Sequence, residues 1–198
     1  AAEVETNQQR VAEICRNNGA REITVATDPD KRLKLWKGRK AAFAAAGHLS
    51  PDYYVQDGVI PRTKLVQVLK QIEQLSHSSG YGIANVFHAG DGNLHPLVLY
   101  DGSVEGELEK VEAVAGNILK FCVEAGGSLS GEHGIGADKR CYMSHMFSET
   151  DLETMQWVRQ TFNPKGLANP GKMFPTPRTC GEAANAKAME KFEGVEAY

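Results

Sequence analysis

Several familiar signatures are missing from this sequence, and each absence closes off a class of function. No run of Lys and Arg forms a basic stripe: 22 Lys and Arg stand against 25 Asp and Glu, for a net charge of −3. Without clustered cations nothing neutralises a phosphate backbone, so a nucleic-acid partner is not expected. No segment approaches the ~20 apolar residues of a membrane span, and the opening AAEVETNQQR has neither a basic n-region nor an apolar h-region. A soluble, cytoplasmic chain is the expectation. The four cysteines, Cys15, Cys122, Cys141 and Cys180, contain no C-x-x-C, which removes a redox dithiol and a zinc knuckle. They are read as reduced thiols acting as small buried apolar residues. No G-x-G-x-x-G occurs either, and GIGADK supplies only a half-match to that dinucleotide fingerprint.

What is present suffices for one large domain, or one domain with a small appendage, in 198 residues. Thr6 and Gln9 read as a capping box opening a helix over about 6 to 18, with Gly19 placed to end it. REITVATD alternates apolar and polar residues as a half-buried strand does. Asp28-Pro29 supplies an N-cap and an N1 proline for a helix running to about Ala46, closed by Gly47. YYVQDGVIP reads as a strand, and Leu65, Val68, Leu69, Ile72 and Leu75 recur at helical spacing. IANVFHAGDGNLHPLVLYD is two β-rich runs around Asp91-Gly92, a strong hairpin signal. Leu108, Val111, Val114, Ile118 and Cys122 then mark a long amphipathic helix, GGSLSGEHGIG a glycine-rich loop, and SETDLETMQWVRQTF a capped helix ended by Asn163-Pro164. Helices mixed with hairpin strands, instead of repeating βαβ units, predict an α+β fold: an antiparallel sheet backed by helices, followed by a C-terminal helical segment. The domain is expected over 1–174, with 175–198 as a tail.

The hairpin carries the chemistry. If Asp91-Gly92 form a two-residue type I′ turn, His88 pairs with His95. Directly opposed Cβ atoms lie ~5 Å apart, close enough for two imidazoles to meet on one ion. Two neutral imidazoles suit zinc, iron, manganese or cobalt, but a third ligand is needed. Glu132 in SGEHGIG is assigned that role, with His133 left free, and such a set keeps positions open for substrate or water. The alternative is a cross-strand polar pair on a solvated face beside an ordinary loop. Gly90, Gly92, Gly131, Gly134 and Gly136 favour the metal, because glycine costs stability unless the backbone must approach something closely.

Trp36, Arg39 and Phe43 fall at i, i+3 and i+7, placing a guanidinium on an aromatic stripe. Such an arginine either snorkels or pairs with an internal acid, or else holds a substrate carboxylate through its planar fork.

Taken together, HAGDGNLHP, SGEHGIG and LANPGKMF, in that order and with a long helix between the first two, resemble the C-terminal cap domain of the FAD-linked oxidase family. YYVQDGVIPRTKL and WKGRKAAF extend the resemblance over nearly all the chain up to about Phe174. It implies a ferredoxin-like cap over a separate N-terminal FAD domain that this chain does not contain, so the chain is expected to be part of a longer protein. It implies oxidation of a small 2-hydroxyacid to the 2-oxoacid, with hydride passing to FAD. It implies metal ligands at His88, His95 and Glu132, a general base and substrate contact at His133, and a substrate-carboxylate contact at Arg39. Asn169 and Lys172 look like the segment that approaches the flavin, while the residues themselves read equally as a helix-terminating Asn-Pro-Gly turn. The metal is expected to be zinc, alternatively manganese or iron. Partners are expected to include other oxidase subunits, among them an iron-sulfur electron acceptor, giving a peripheral place at the inner membrane. Members acting on larger dicarboxylates carry polar groups where this chain has Phe43, Val55 and Leu97, so glycolate or D-lactate fits better. Two other readings stay open: a stand-alone non-haem metal enzyme using the same His, His and Glu, and a non-catalytic interaction module.

Overall fold

The computed structural model describes residues 2–175; the tail expected at 175–198 and Cys180 therefore lie almost wholly or wholly outside the described residues. The chain divides into two compact units, Ala1–Ala42 and Phe43–Tyr198.

The first unit is helical. Helix α1 spans Ala2–Asn17, and Thr6 is not its cap: its hydroxyl donates to the Ala2 carbonyl at 3.0 Å, bonding back within a helix already begun. Gly19 follows with φ +82°, the left-handed C-terminal position expected of it. Residues 20–27 form no strand, against the alternation of REITVATD. A half-buried strand needs a neighbour for its N–H and C=O groups, and all four strands among the described residues belong to the second unit. Ile23 and Val25 instead border a hollow shared with Val4 and Val11 of α1. Asp28 caps α2 (Pro29–Lys40) as expected, its Oδ1 accepting from the Lys31 amide at 2.7 Å. That helix does not run on to Ala46. It breaks at Ala41, and a short α3 (Ala42–Ala46) follows. None of the side chains of α2 is buried, so no packing holds one axis through the break.

In the second unit the central strand is β4 (Asn93–Tyr100), antiparallel to every neighbour. On one side it pairs β3 (Ile83–His88); on the other it pairs β1 (Asp52–Val55) and then β2 (Gly58–Val59). The single strand expected from YYVQDGVIP is thus two, parted by Gln56-Asp57, both buried. Leu94 and Val98 face α4 (Leu65–Ser79) and α5 (Glu107–Glu124), where Val68, Ile72, Val111, Ala115, Ile118 and Cys122 complete the main core. At about 1.5–3 kcal/mol for each large side chain removed from water, this layer is the main driving force. Asn93, His95 and Leu97 alternate onto the opposite face of β4 and are buried as well. The last helix among the described residues, α6 (Glu149–Phe162), opens with a reciprocal capping box between Ser148 and Asp151, and Leu152 and Met155 pack on a second cluster around Leu119, Leu129 and Met143. The fold is the expected α+β arrangement. Among the described residues no helix is long and apolar enough to cross a membrane.

Of the cysteines, Cys15 and Cys122 are free, and burial pushes the Cys122 thiol up to about 12. Cys141 is disulfide-bonded, so the expectation of four reduced thiols fails there. A disulfide requires proximity in space, which sequence spacing does not report.

Helix α5 approaches β2 closely enough that a Cβ on Gly58 would lie 2.6 Å from Cys122 Sγ. Gly58→Ala therefore lowers stability in urea denaturation by about 1–3 kcal/mol. Adding Cys122→Ala, which clears the contact, recovers part of that loss; no recovery would show that the approach is not what excludes a side chain.

A candidate metal centre

The hairpin forms, but in a different register from the one expected. His88 pairs with Asn93, and Val86 with His95. The loop is Ala89–Gly92, with the His88 carbonyl accepting from the amides of Asp91 and Gly92, each at 3.0 Å. A tertiary contact sets this: the Gly92 carbonyl accepts from Ile60 N at 3.0 Å, and a Cβ on Gly92 would sit 2.1 Å from the Ile60 carbonyl oxygen. The two-residue shift leaves side-chain direction unchanged, whereas a one-residue slip would have turned one histidine away. His88 and His95 become diagonal neighbours on one face, ring centroids 5.6 Å apart.

Glu132 reaches them from the loop after α5. Its Oε1 lies 3.7 Å from His88 Nε2 and 3.8 Å from His95 Nε2, and one donor atom from each of the three lies within 4.8 Å of the others. These separations are too long for direct hydrogen bonds. They approach the ~3.4 Å between donors arranged tetrahedrally at ~2.1 Å around one ion. Two imidazoles and a carboxylate are a donor set that divalent zinc, manganese or iron accepts, so the residues fit a bound cation. Side-chain exposure differs sharply: 4% for His95, against 43% for His88 and 54% for Glu132. The set is anchored in the sheet and open on one side. Burial pushes the His95 imidazole below its ordinary range, the carboxylates of Asp57 and Glu132 opposing this, so His95 is neutral at physiological pH, the form in which imidazole binds a metal. The His133 ring stacks on His95 at 5.3 Å between centroids, and Phe43 meets His95 edge-on at 6.1 Å.

The residue that sequence reading missed is Asp57. Its buried carboxylate collects the Ser130 hydroxyl at 2.7 Å, the amides of Gly131, Glu132 and His133 at 3.0, 3.1 and 2.9 Å, and the Lys139 ammonium at 3.3 Å. Lys139, also buried, bonds the Asp57 carbonyl as well, at 2.8 Å. Burial alone would raise the Asp57 pKa; the Ser130 hydroxyl, the loop amides and Lys139 outweigh it and hold the carboxyl well below its usual range. The backbone carrying Glu132 and His133 is thereby wrapped around one charge. A signal existed in the sequence, an Asp-Gly pair inside an apolar strand, where acid and glycine are both disfavoured.

Other expected site residues stand on other segments of the chain. Arg39 is exposed on α2, in the first unit, where it borders a hollow with Arg32, Leu35 and Trp36. Phe43 falls beyond the break at Ala41, so the expected Trp36–Arg39–Phe43 stripe is interrupted. Asn169 and Lys172 are exposed, and their carbonyls accept from Arg159 of α6 at 2.8 and 3.2 Å. The Met173 amide bonds the Gly136 carbonyl at 2.8 Å, tying this segment to the loop that bears Glu132 and His133.

Comparison with known proteins gives a consistent picture. Residues 1–173 match the family described as FAD linked oxidases, C-terminal domain. The chain is 46% identical over 181 residues to glycolate oxidase subunit GlcD of Escherichia coli (strain K12), covering 91% of this chain and 36% of that protein. It is 30% identical over 171 residues to the GlcD subunit of Bacillus subtilis (strain 168), covering 86% and 36%. Against the mitochondrial cytochrome D-lactate dehydrogenase of Arabidopsis thaliana it is 28% identical over 174 residues, covering 87% and 30%. The chain thus spans about a third of the length of the curated relatives it matches.

Asp57→Asn leaves the Lys139 charge buried and unpaired, and lowers stability near neutral pH by about 3–5 kcal/mol in urea denaturation. The double substitution Asp57→Asn, Lys139→Met restores much of it. Because the folded-state pKa of Asp57 is depressed, its contribution is present above the unfolded value of about 3.9 and is lost as pH falls below that. The stability gap between the native chain and Asp57→Asn therefore narrows in acid. A gap independent of pH would contradict this account.

Proposed function

The chain belongs to the FAD linked oxidases, C-terminal domain family, and from that premise we propose that it is the substrate- and metal-binding part of a flavin-dependent 2-hydroxyacid dehydrogenase. The observation that carries the proposal is the convergence of His88, His95 and Glu132 within 4.8 Å, with His133 stacked on the buried member of the set. In this reading those three hold a divalent cation, zinc or alternatively manganese or iron, and His133 is the catalytic base. Arg39 takes the substrate carboxylate, and Asn169 and Lys172 belong to the segment that meets the flavin.

When bound, the cation would polarise the substrate's α-hydroxyl as a Lewis acid, and FAD would accept the hydride leaving the α-carbon. His133 takes the hydroxyl proton on an imidazole nitrogen as the C=O bond of the 2-oxoacid forms. The stacking of His133 on His95 and the hydrogen bond that its backbone N–H donates to the Asp57 carboxylate hold the ring beside the ligand set. Its placement supports the assignment, since a base must be fixed within reach of the proton it removes.

The apolar character of the same face supports a small substrate. Val55 sits opposite Leu97 in the sheet register, Leu97 is two residues on from His95, and Phe43 lies against the His95 ring. Glycolate or D-lactate carries no second charged group to satisfy there. The remaining length of a protein of this kind would supply the FAD domain. Further oxidase subunits, including an iron-sulfur acceptor, would fit the relatives named as subunits. A cytoplasmic location, peripheral at the inner membrane through such subunits, belongs to the same proposal.

In the intact flavoprotein, His133→Ala leaves metal content unchanged and slows flavin reduction by roughly 10²–10⁴-fold. His95→Ala lowers metal occupancy and activity together. Elemental analysis with flavin bleaching by glycolate, D-lactate and D-2-hydroxyglutarate separates the cases. Undiminished turnover in His133→Ala removes the base assignment, and unchanged metal in His95→Ala removes the ligand set.

A further inference from the structure

Glu132 is the most exposed member of the ligand set, on a loop, with three rotatable bonds between its backbone and its carboxylate. Asp57 fixes that backbone but not the carboxylate. Among the described residues one hydrogen bond is made to the Glu132 carboxylate: Asn93 Nδ2 donates to Oε1 at 2.7 Å. That oxygen is also the one facing both imidazoles. Asn93 stands directly across from His88 in the sheet, two residues before His95 on the same face, and is 4% exposed.

Resting on the metal-centre reading above, we propose that Asn93 is a positioning residue that aims Oε1 of Glu132 at the cation. A carboxylate oxygen has two lone-pair directions. Asn93 occupies one and leaves the other toward the histidines. The amide can serve only in this orientation, since turning it over would set two oxygens against each other at hydrogen-bond distance. In this orientation the Asn93 Oδ1 is buried with no hydrogen-bond partner among the described residues, a cost to folding that an apolar residue would not incur. The neighbouring loop makes room for the amide: a Cβ on Gly131 would lie 2.6 Å from Asn93 Oδ1. A buried side chain that weakens the fold yet orients a ligand is expected where positioning, not stability, is the function.

The test separates the two. Zinc affinity of the intact protein is measured by competition with a chromogenic chelator, alongside thermal unfolding of the metal-free form. Asn93→Leu keeps the side chain's shape without its donor, and lowers zinc affinity about 10- to 100-fold while the unfolding midpoint is unchanged or raised. In a Glu132→Ala background the same substitution leaves zinc affinity unchanged, because the group it orients is gone. Asn93→Ala follows the same pattern and serves if leucine does not fit. Native zinc affinity in both Asn93 variants, or an equal loss with and without Glu132, overturns the proposal. Failure of the unsubstituted protein to bind zinc, manganese or iron overturns the metal-centre reading itself and this inference with it.

Discussion

A single buried carboxylate organises the site half of this molecule. Asp57 interrupts an edge strand, and the amides of Gly131, Glu132 and His133, the Ser130 hydroxyl and the Lys139 ammonium all turn toward it. Each of those donors would otherwise need water or another acceptor. Gathered on one anion, they fix the backbone of residues 130–133 beside the sheet. The energetics are those of a buried ion pair: intact, it is a modest net term, and broken, it leaves a charge where none can be solvated. Across the break between β1 and β2 the register on β4 is continuous and Gln56 N still donates to the Pro96 carbonyl at 3.1 Å, while Pro96 has no N–H to return.

The second organising feature is that β4 is buried on both faces for different purposes. Leu94 and Val98 complete the apolar layer against α4 and α5. Asn93 and His95, on the opposite face, are polar and buried, with Leu97 beside them. The strong apolar layer offsets the cost of burying polar groups on the other side. His95 is therefore held by the sheet, while His88 and Glu132 remain accessible at its end. A rigid, neutral imidazole paired with two exposed donors suits a cation that must also admit a substrate.

Legibility from sequence followed the range of the interactions. Asp28 at the start of α2, the Ser148 cap of α6, Gly19 and the apolar spacing of α4 and α5 rest on contacts within a few residues, and all were read correctly. Thr6 bonds back within the helix instead of capping it, because capping and back-bonding hydroxyls look alike in sequence until the first helical turn is located. REITVATD carried a strand's alternation but had no partner strand. The hairpin was recognised, yet its turn was two residues too tight. Its true loop depends on Ile60 reaching the Gly92 carbonyl, a contact thirty-two residues away along the chain. The pairing of Cys141 was likewise invisible to spacing.

The candidate site divides along the same line. Sequence alone decided which side chains are chemically able to hold a cation and take a proton, and the even parity of the hairpin kept His88 and His95 on one face despite the changed register. Tertiary structure alone decided that Glu132 arrives at those imidazoles, that Asp57 and Lys139 anchor its loop, and that Asn93 meets its carboxylate. Local periodicity is written in neighbouring residues, because backbone geometry repeats every two or 3.6 positions. Convergence of segments more than seventy residues apart, such as Asp57 and Glu132, depends instead on how the layers pack, and no local pattern encodes it.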